Sequence, residues 1–479
     1  MKAGKQFICS ILLLLAGTVF GQKKSLQEYL GNLPFPMPKV EMPAFNNQYY
    51  YLTDFGGKND GVTLNTGAFK KAIEACNRQG GGHVIVTNGT WLTGPIELKS
   101  NVDLHVEKGG IILFTRDHSQ YPMINAGKRV RTLTTAFPIY SIHSENIAIT
   151  GSGSIDGAGD SWRPVKKVKT TPAQWDEFTR TGVVSKDGKI WWPSYEAMNG
   201  EEYLARFTDK KPDSSEYVKA RDYLRPHMVY FYDCKNVFLD SITLKNSPMF
   251  MFYPNNCTNL YMHKVTVYNE WWAQNGDGID ISASKNVILY DCSVNAGDDG
   301  ICMKSSGKNS NGPQLENILI LACKVFKAHG GFSVGSNTDG GMRNIYVKDC
   351  IYDGTDVGIN MKSNSGRGGL VENIYIDNIV MKNIVKEAIL FNAYYENVPA
   401  GKEAKDVKTT ATDKIPEFTN IHISNIFCEG ANTGVSITGL PSMPVHDIYF
   451  SNMSIIAKKE IDTTHVKNLN FENVRISKK

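Results

Sequence analysis

From residue 236 onward the chain repeats one short pattern: an Asn, then apolar residues at offsets +1, +3, +6 and +8 with polar residues between them. The first copies read Asn236 (Val237, Leu239, Ile242, Leu244), Asn259 (Leu260, Met262, Val265, Val267), Asn286 (Val287, Leu289, Cys292, Val294) and Asn317 (Ile318, Ile320, Cys323, Val325). Further copies start at Asn344, Asn373, Asn420, Asp447 and Asn468, and successive starts lie 23, 27, 31, 27, 29, 47, 27 and 21 residues apart. Alternation buries one face of a strand. The odd-length slip between +3 and +6 is what a corner joining two strands produces. Strand-and-turn units of roughly 20–50 residues stack so that neighbouring units close one continuous core. The pattern therefore predicts an all-β fold, a single-stranded right-handed parallel β-helix with two or three short strands per coil and an Asn ladder at one turn. The hand follows from the general preference of parallel crossovers.

The N-terminal part fits the same architecture with a lid. Turn clusters at Asp54-Phe55-Gly56-Gly57 and Asn59-Asp60-Gly61 precede a helical pattern from Thr66 to Cys76, with Ala68, Phe69, Ala72, Ile73 and Cys76 on one face. Strand-like runs follow at His83–Thr87, Asn101–Val106 and Asn146–Ile149. A helix across the open end of a solenoid shields core and strand edges. Residues from about 158 to 225 break the repeat and carry Trp162, Trp175, Trp191 and Trp192 among many charges. They read as a surface excursion whose aromatic residues narrow one end of a groove.

Lys2 and Lys5 precede an apolar run from Phe7 to Phe20, with Gly21 before Gln22. This reads as a cleaved secretory leader over residues 1–21, because the run falls short of the roughly 20 residues a membrane-spanning helix needs. Residues 22–479 are then one β-helix domain, exported to the periplasm or the medium, with no membrane segment and no partner needed to close its core. Eight cysteines remain after the leader. Cys292, Cys323 and Cys350 occupy the offset filled elsewhere by Ile242, Val265 and Ile379, so they read as small buried hydrophobes, with bridges between adjacent coils the alternative. The 479 residues carry Lys+Arg 52 against Asp+Glu 48. This balance gives no broad basic surface for nucleic acid, so an acidic ligand must be held by a few placed cations.

Polar residues that neither core nor turn requires concentrate on consecutive coils. Asn275-Gly276-Asp277-Gly278-Ile279-Asp280 is followed by Gly297-Asp298-Asp299-Gly300, 21 residues from Asp277 to Asp298. His329 comes 31 residues after Asp298, Asn360 and Lys362 come 31 and 33 after His329, and Tyr394 comes 32 after Lys362. Each interval is about one coil, which lines these side chains along one groove at roughly 4.8 Å per coil. Gly297 and Gly300 permit a bend that turns Asp298 and Asp299 toward the same cleft. Three gathered carboxylates repel, so the least solvated should keep a proton near neutral pH while its neighbours stay ionised. A neutral acid beside an anionic base is what glycosidic bond cleavage uses.

These motifs, with Arg225-Pro226, Asn246-Ser247-Pro248, Lys304-Ser305, His329-Gly330-Gly331 and Gly335-Ser336, resemble those of glycoside hydrolase family 28, the polygalacturonase family. The resemblance covers nearly the whole chain after the leader. It implies metal- and cofactor-free, inverting hydrolysis of α-linked galacturonide in pectic polysaccharide, with Asp298 as general acid and Asp277 and Asp299 holding and deprotonating water. It further implies that His329 supports the acid and Lys362 binds a sugar carboxylate, with Asn275 and Tyr394 at the substrate. One departure matters: the family's Arg-x-Lys appears here as Asn360-Met361-Lys362, which removes a bidentate carboxylate clamp. Either Arg367 or Arg343 supplies that charge, or the sugar at that subsite differs. Two other readings share the fold: a polysaccharide lyase using calcium, and a non-catalytic carbohydrate-binding β-helix.

Overall fold

The computed structural model describes residues 24–127, 133–207, 212–307, 312–395 and 414–478; the leader read over residues 1–21 lies outside them. Its core is a stack of parallel coils. A representative coil comprises strands Val229–Tyr232, Lys235–Asp240 and Thr243–Lys245, which pair in parallel with Phe252–Asn255, Thr258–His263 and Thr266–Tyr268 of the next coil. The repeat offsets become columns: Val237, Leu260, Val287, Ile318, Ile345, Ile374, Ile421, Ile448 and Leu469 are successive register partners. From Val237 to Ile448 every member of that column is buried. The expected parallel β-helix is the fold.

Each coil turns where the pattern slips. The repeat Asn residues hold left-handed backbone, φ 54° at Asn236, 57° at Asn286 and 60° at Asn344, a conformation that Asn tolerates better than most residues. Their side chains form a continuous ladder: Asn259 Nδ2 donates to Asn236 Oδ1 at 3.1 Å, Asn286 to Asn259 at 3.1 Å, and Asn317 to Asn286 at 3.1 Å. The second corner falls at offset +5, where Ser241, Lys264, Asp291 and Ala322 have φ between 53° and 60°. One left-handed residue there rotates the next strand and accounts for the slip between +3 and +6.

Helix Thr66–Arg78 lies against the first coils and buries Ala68, Phe69, Ala72, Ile73 and Cys76, as expected of the lid. An unforeseen element is the segment 24–40, which crosses the outside of the stack. There Tyr29 and Phe35 cover the outward-facing Ile288, Tyr290, Leu319, Leu321 and Tyr346, and Tyr29 Oη donates to Asp349 Oδ2 at 2.9 Å. All eight cysteines among the described residues are buried free thiols, including the stacked Cys292, Cys323 and Cys350. No helix among these residues is long and apolar enough to cross a membrane.

Within 158–225 the chain forms short helices and a three-stranded antiparallel sheet of Val165–Lys166, Ile190–Trp192 and Val183–Val184. Three of its four tryptophans, Trp162, Trp175 and Trp191, are buried in packing and do not line a groove. Buried Trp162 stacks on His118 at 3.4 Å, and buried Trp175 and Trp191 pack with Val165.

Candidate active site

Five strands build the floor of the acidic cleft: Ile279–Ser282, Ile301–Lys304, Gly330–Val334, Val357–Lys362 and Glu387–Asn392. Across them Asp280, Cys302, Ser333, Asn360 and Leu390 are successive register partners. Asp277, the Asp298-Asp299 pair and His329 stand in the connections entering three of these strands. Main-chain bonds run on through those connections: Gly278 N donates to Asp299 O at 2.9 Å, Gly300 N to Gly330 O at 2.9 Å, and His329 N to Asp298 O at 2.7 Å. The carboxylates thus stand on a fixed frame.

Gly297 and Gly300 are not in left-handed conformations; close approach is what requires them, since a Cβ on Gly297 would meet Ala273 O at 2.3 Å and one on Gly300 would meet Val325 Cγ1 at 2.3 Å. Gly330 is equally constrained, because a Cβ there would lie 2.1 Å from Ser333 Oγ and 3.2 Å from Asp299 Oδ1.

Asp277, Asp298 and Asp299 each bring a carboxylate oxygen within 4.8 Å of the others. Asp299 accepts from Lys362 Nζ at 2.6 Å and from Ser333 Oγ at 2.9 Å. Asp298 Oδ1 lies 3.1 Å from His329 Nδ1, and Asp298 is the most exposed of the three. Lys304 Nζ stands 3.4 Å from Asp277 Oδ2 and 2.6 Å from the buried Asp280 Oδ1. Three oxygen donors this close also suit a hard divalent cation, but Lys304 and Lys362 already supply positive charge in direct contact.

The acid cluster divides in its basicity, and Asp298, the residue expected to donate the proton, is the member held low. Burial, reinforced by Asp280 and Asp298 and only partly offset by Lys304, pushes Asp277 well above the usual carboxylate range. Burial also works to raise Asp298, but the His329 hydrogen bond and charge, with Lys362 and Lys169, outweigh it and hold Asp298 below that range. The two carboxyls are thus driven in opposite directions, Asp277 toward its neutral form and Asp298 toward its ionised one. Lys362 stays charged: burial opposes its ammonium, and Asp299 more than compensates.

The remaining expected residues divide. Asn275 Oδ1 accepts from Arg225 Nη2 at 3.1 Å, and Arg225 also holds Gln274 O at 3.0 Å, which braces the segment leading to Asp277. Asn360 is buried in the floor beside Gly330, and its Oδ1 finds no hydrogen-bond partner among the described residues. Lys362 is buried and ion-paired with Asp299, which it holds in place. Tyr394 is buried in an apolar cluster with Ala393 and Leu440, while the ring of Tyr395 lies 5.0 Å from Lys362 Nζ. The adjacent tyrosine is the one at the cleft. Arg343 is engaged by Glu316, its Nε 3.1 Å from Oε1, and Arg367 lies in the turn before Leu370–Lys382, where its carbonyl accepts from Thr338 N at 3.0 Å. Lys304, from the Lys304-Ser305 motif, completes the surroundings together with Lys169, Trp271 and Ser333, which no motif marks in the sequence.

A model of glycosyl hydrolases family 28 matches residues 198–477. The exo-poly-alpha-D-galacturonosidase of Dickeya chrysanthemi is 26% identical over 449 residues, covering 88% of this chain and 71% of that one. An endo-polygalacturonase of Pectobacterium carotovorum subsp. carotovorum is 28% identical over 348 residues, covering 70% and 74%. The crystal structure of a hyperthermoactive exopolygalacturonase from Thermotoga maritima superposes with a TM-score of 0.74 at 29% identity, covering 94% of this chain and 95% of that one.

Proposed function

Because the chain belongs to glycosyl hydrolases family 28 and is a hydrolase of glycosidic bonds, we propose that it cleaves α-linked galacturonide in pectic polysaccharide, outside the cytoplasm, as a single β-helix domain acting alone. The observation that carries the reading is the cluster of Asp277, Asp298 and Asp299, with His329 on one side and Lys362 on the other.

In this reading Asp298 protonates the leaving oxygen, because it is the most exposed of the three and faces His329. In this reading the cluster shares one proton, which burial draws toward Asp277 in the free enzyme. An anionic sugar entering beside Asp298 disfavours the second charge and draws that proton to it, since interacting carboxylates titrate as a unit. Asp277, now ionised, and Asp299 hold the water. Its oxygen bonds to the anomeric carbon as the glycosidic bond breaks, one water proton passes to that pair, and the Asp298 proton leaves with the alcohol. Lys362 and Ser333 occupy both oxygens of Asp299, which weakens it as a nucleophile and favours its role at the water. The 4.8 Å cluster is tighter than the about 6.5–9.5 Å of a two-carboxylate inverting site. Inversion is therefore argued from the family and from the blunted Asp299.

We take the action to be exo, since relatives named for exo action span most of both chains and the 158–225 excursion delivers Lys169 beside the cleft. The test is a product assay on polygalacturonate in chelator, wild type beside Asp298→Asn, with anomers followed by NMR. Inverted monomer or dimer from the start, lost in the variant, supports the reading. Products absorbing in the ultraviolet point to a lyase, and retention on pectin with no new reducing ends points to a binding protein.

A further inference from the structure

Three lysines surround the acid cluster, each with its ammonium over an aromatic ring: Lys304 5.0 Å from Phe250, Lys362 5.0 Å from Tyr395, and Lys169 4.6 Å from Trp271. Two of the three are engaged by protein carboxylates, Lys304 by Asp280 and Asp277 and Lys362 by Asp299. Lys169 is different. Its Nζ donates to the main-chain carbonyl of Gly297, the residue before Asp298, and among the described residues it forms no ion pair.

An ammonium offers three donors. Gly297 O takes one, the Trp271 face covers one side, and the remaining N–H groups have no acceptor among the described residues. Trp271 in turn meets the His329 ring edge-on at 5.4 Å and 80°, and His329 holds Asp298, so Lys169 belongs to the same wall as the acid. Burial depresses its basicity, with Asp298 the leading opposing influence. A half-buried charge without a counter-ion is costly to keep unless a ligand supplies one. The position where the family carries an Arg is here Asn360, which brings no charge.

We propose that Lys169, delivered by the 158–225 excursion, binds the carboxylate of the uronic acid at the cleavage point and supplies the cation that Asn360 does not. The inference rests on the galacturonan reading given above. It also assigns a chemical purpose to the excursion, whose Trp162, Trp175 and Trp191 are consumed in packing.

Wild type, Lys169→Met and Lys169→Arg are compared for kcat and KM on trigalacturonate. Affinities for trigalacturonate and for its methyl ester are measured by calorimetry in the Asp298→Asn background, with and without Lys169→Met. Loss of a charge-assisted bond predicts a KM about 10- to 100-fold higher for Lys169→Met, kcat changed much less, and near wild-type behaviour for Lys169→Arg. Ester binding should be the same with and without Lys169. Equal weakening toward acid and ester, or an unchanged KM in an active enzyme, overturns the inference and leaves the galacturonan reading standing. Wild type that releases no reducing ends from any galacturonan overturns that reading and the inference together.

Discussion

Lys362 Nζ lies 2.6 Å from Asp299 Oδ2, and both side chains are buried. Such a pair stabilises little relative to an apolar pair, but removing one partner strands the other charge. Lys362→Met should cost about 3–5 kcal/mol in denaturant unfolding and reduce kcat by roughly 100-fold or more, since Asp299 is no longer oriented. The double variant Lys362→Met/Asp299→Asn should recover most of the stability and none of the activity. A single variant as stable as wild type contradicts the structural part of this argument.

His329 is the main counterweight to burial at Asp298. Replacing it with Asn removes the 3.1 Å contact that offsets burial at Asp298, so the Asp298 pKa rises. The alkaline limb of kcat/KM against pH, which reports groups of the free enzyme, should move to higher pH while the maximum falls by about 10- to 100-fold. A lowered maximum with an unmoved alkaline limb would place His329 outside the control of Asp298.

Asp277 carries the opposite linkage. Its folded pKa is raised by burial and by Asp280 and Asp298, so between its unfolded value and that raised value the native state binds more protons than the unfolded chain. Stability therefore falls as pH rises through this window, and above it the full cost of a buried, crowded carboxylate is felt. Asp277→Asn should melt higher than wild type at neutral pH, by less at pH 4, and be inactive. A variant that melts lower than wild type at pH 7 contradicts the assignment of the proton.

The fold was legible because its corners are written in residue types. An Asn at a left-handed turn every coil, such as Asn259 or Asn317, leaves both a period and a reason. Asp277, Asp298 and His329 were legible for the same cause: one-coil spacing in sequence becomes adjacency in space. Lys169 was not, because it reaches Gly297 across 128 residues from a segment with no period. Tyr394 and Tyr395 could not be told apart, since the choice depends on how the chain bends after Asn392. Nor does spacing reveal burial depth, which is why it could not tell that burial raises Asp277 while His329 holds Asp298 low. The segment carrying Tyr29 and Phe35 gave no signal either, for it covers outward residues such as Leu319 and Leu321 that look like surplus in an alternating strand.

The ladder that made the fold legible should also be measurable as stability. Asn286 donates to Asn259 at 3.1 Å, accepts from Asn317 at 3.1 Å, and holds φ 57°. Asn286→Ala loses two part-buried hydrogen bonds, leaves both neighbours short of a partner, and forces alanine into left-handed backbone. These effects together should cost about 2–4 kcal/mol. Asn286→Gly loses the same bonds without the backbone penalty, so it should be less destabilised than the alanine variant by about 1 kcal/mol. Because Asn286 lies at the far corner of the coil that carries Asp298, activity per folded molecule should stay at the wild-type level in both variants. Denaturant unfolding that ranks glycine below alanine would show that the left-handed turn conformation is not what selects Asn here.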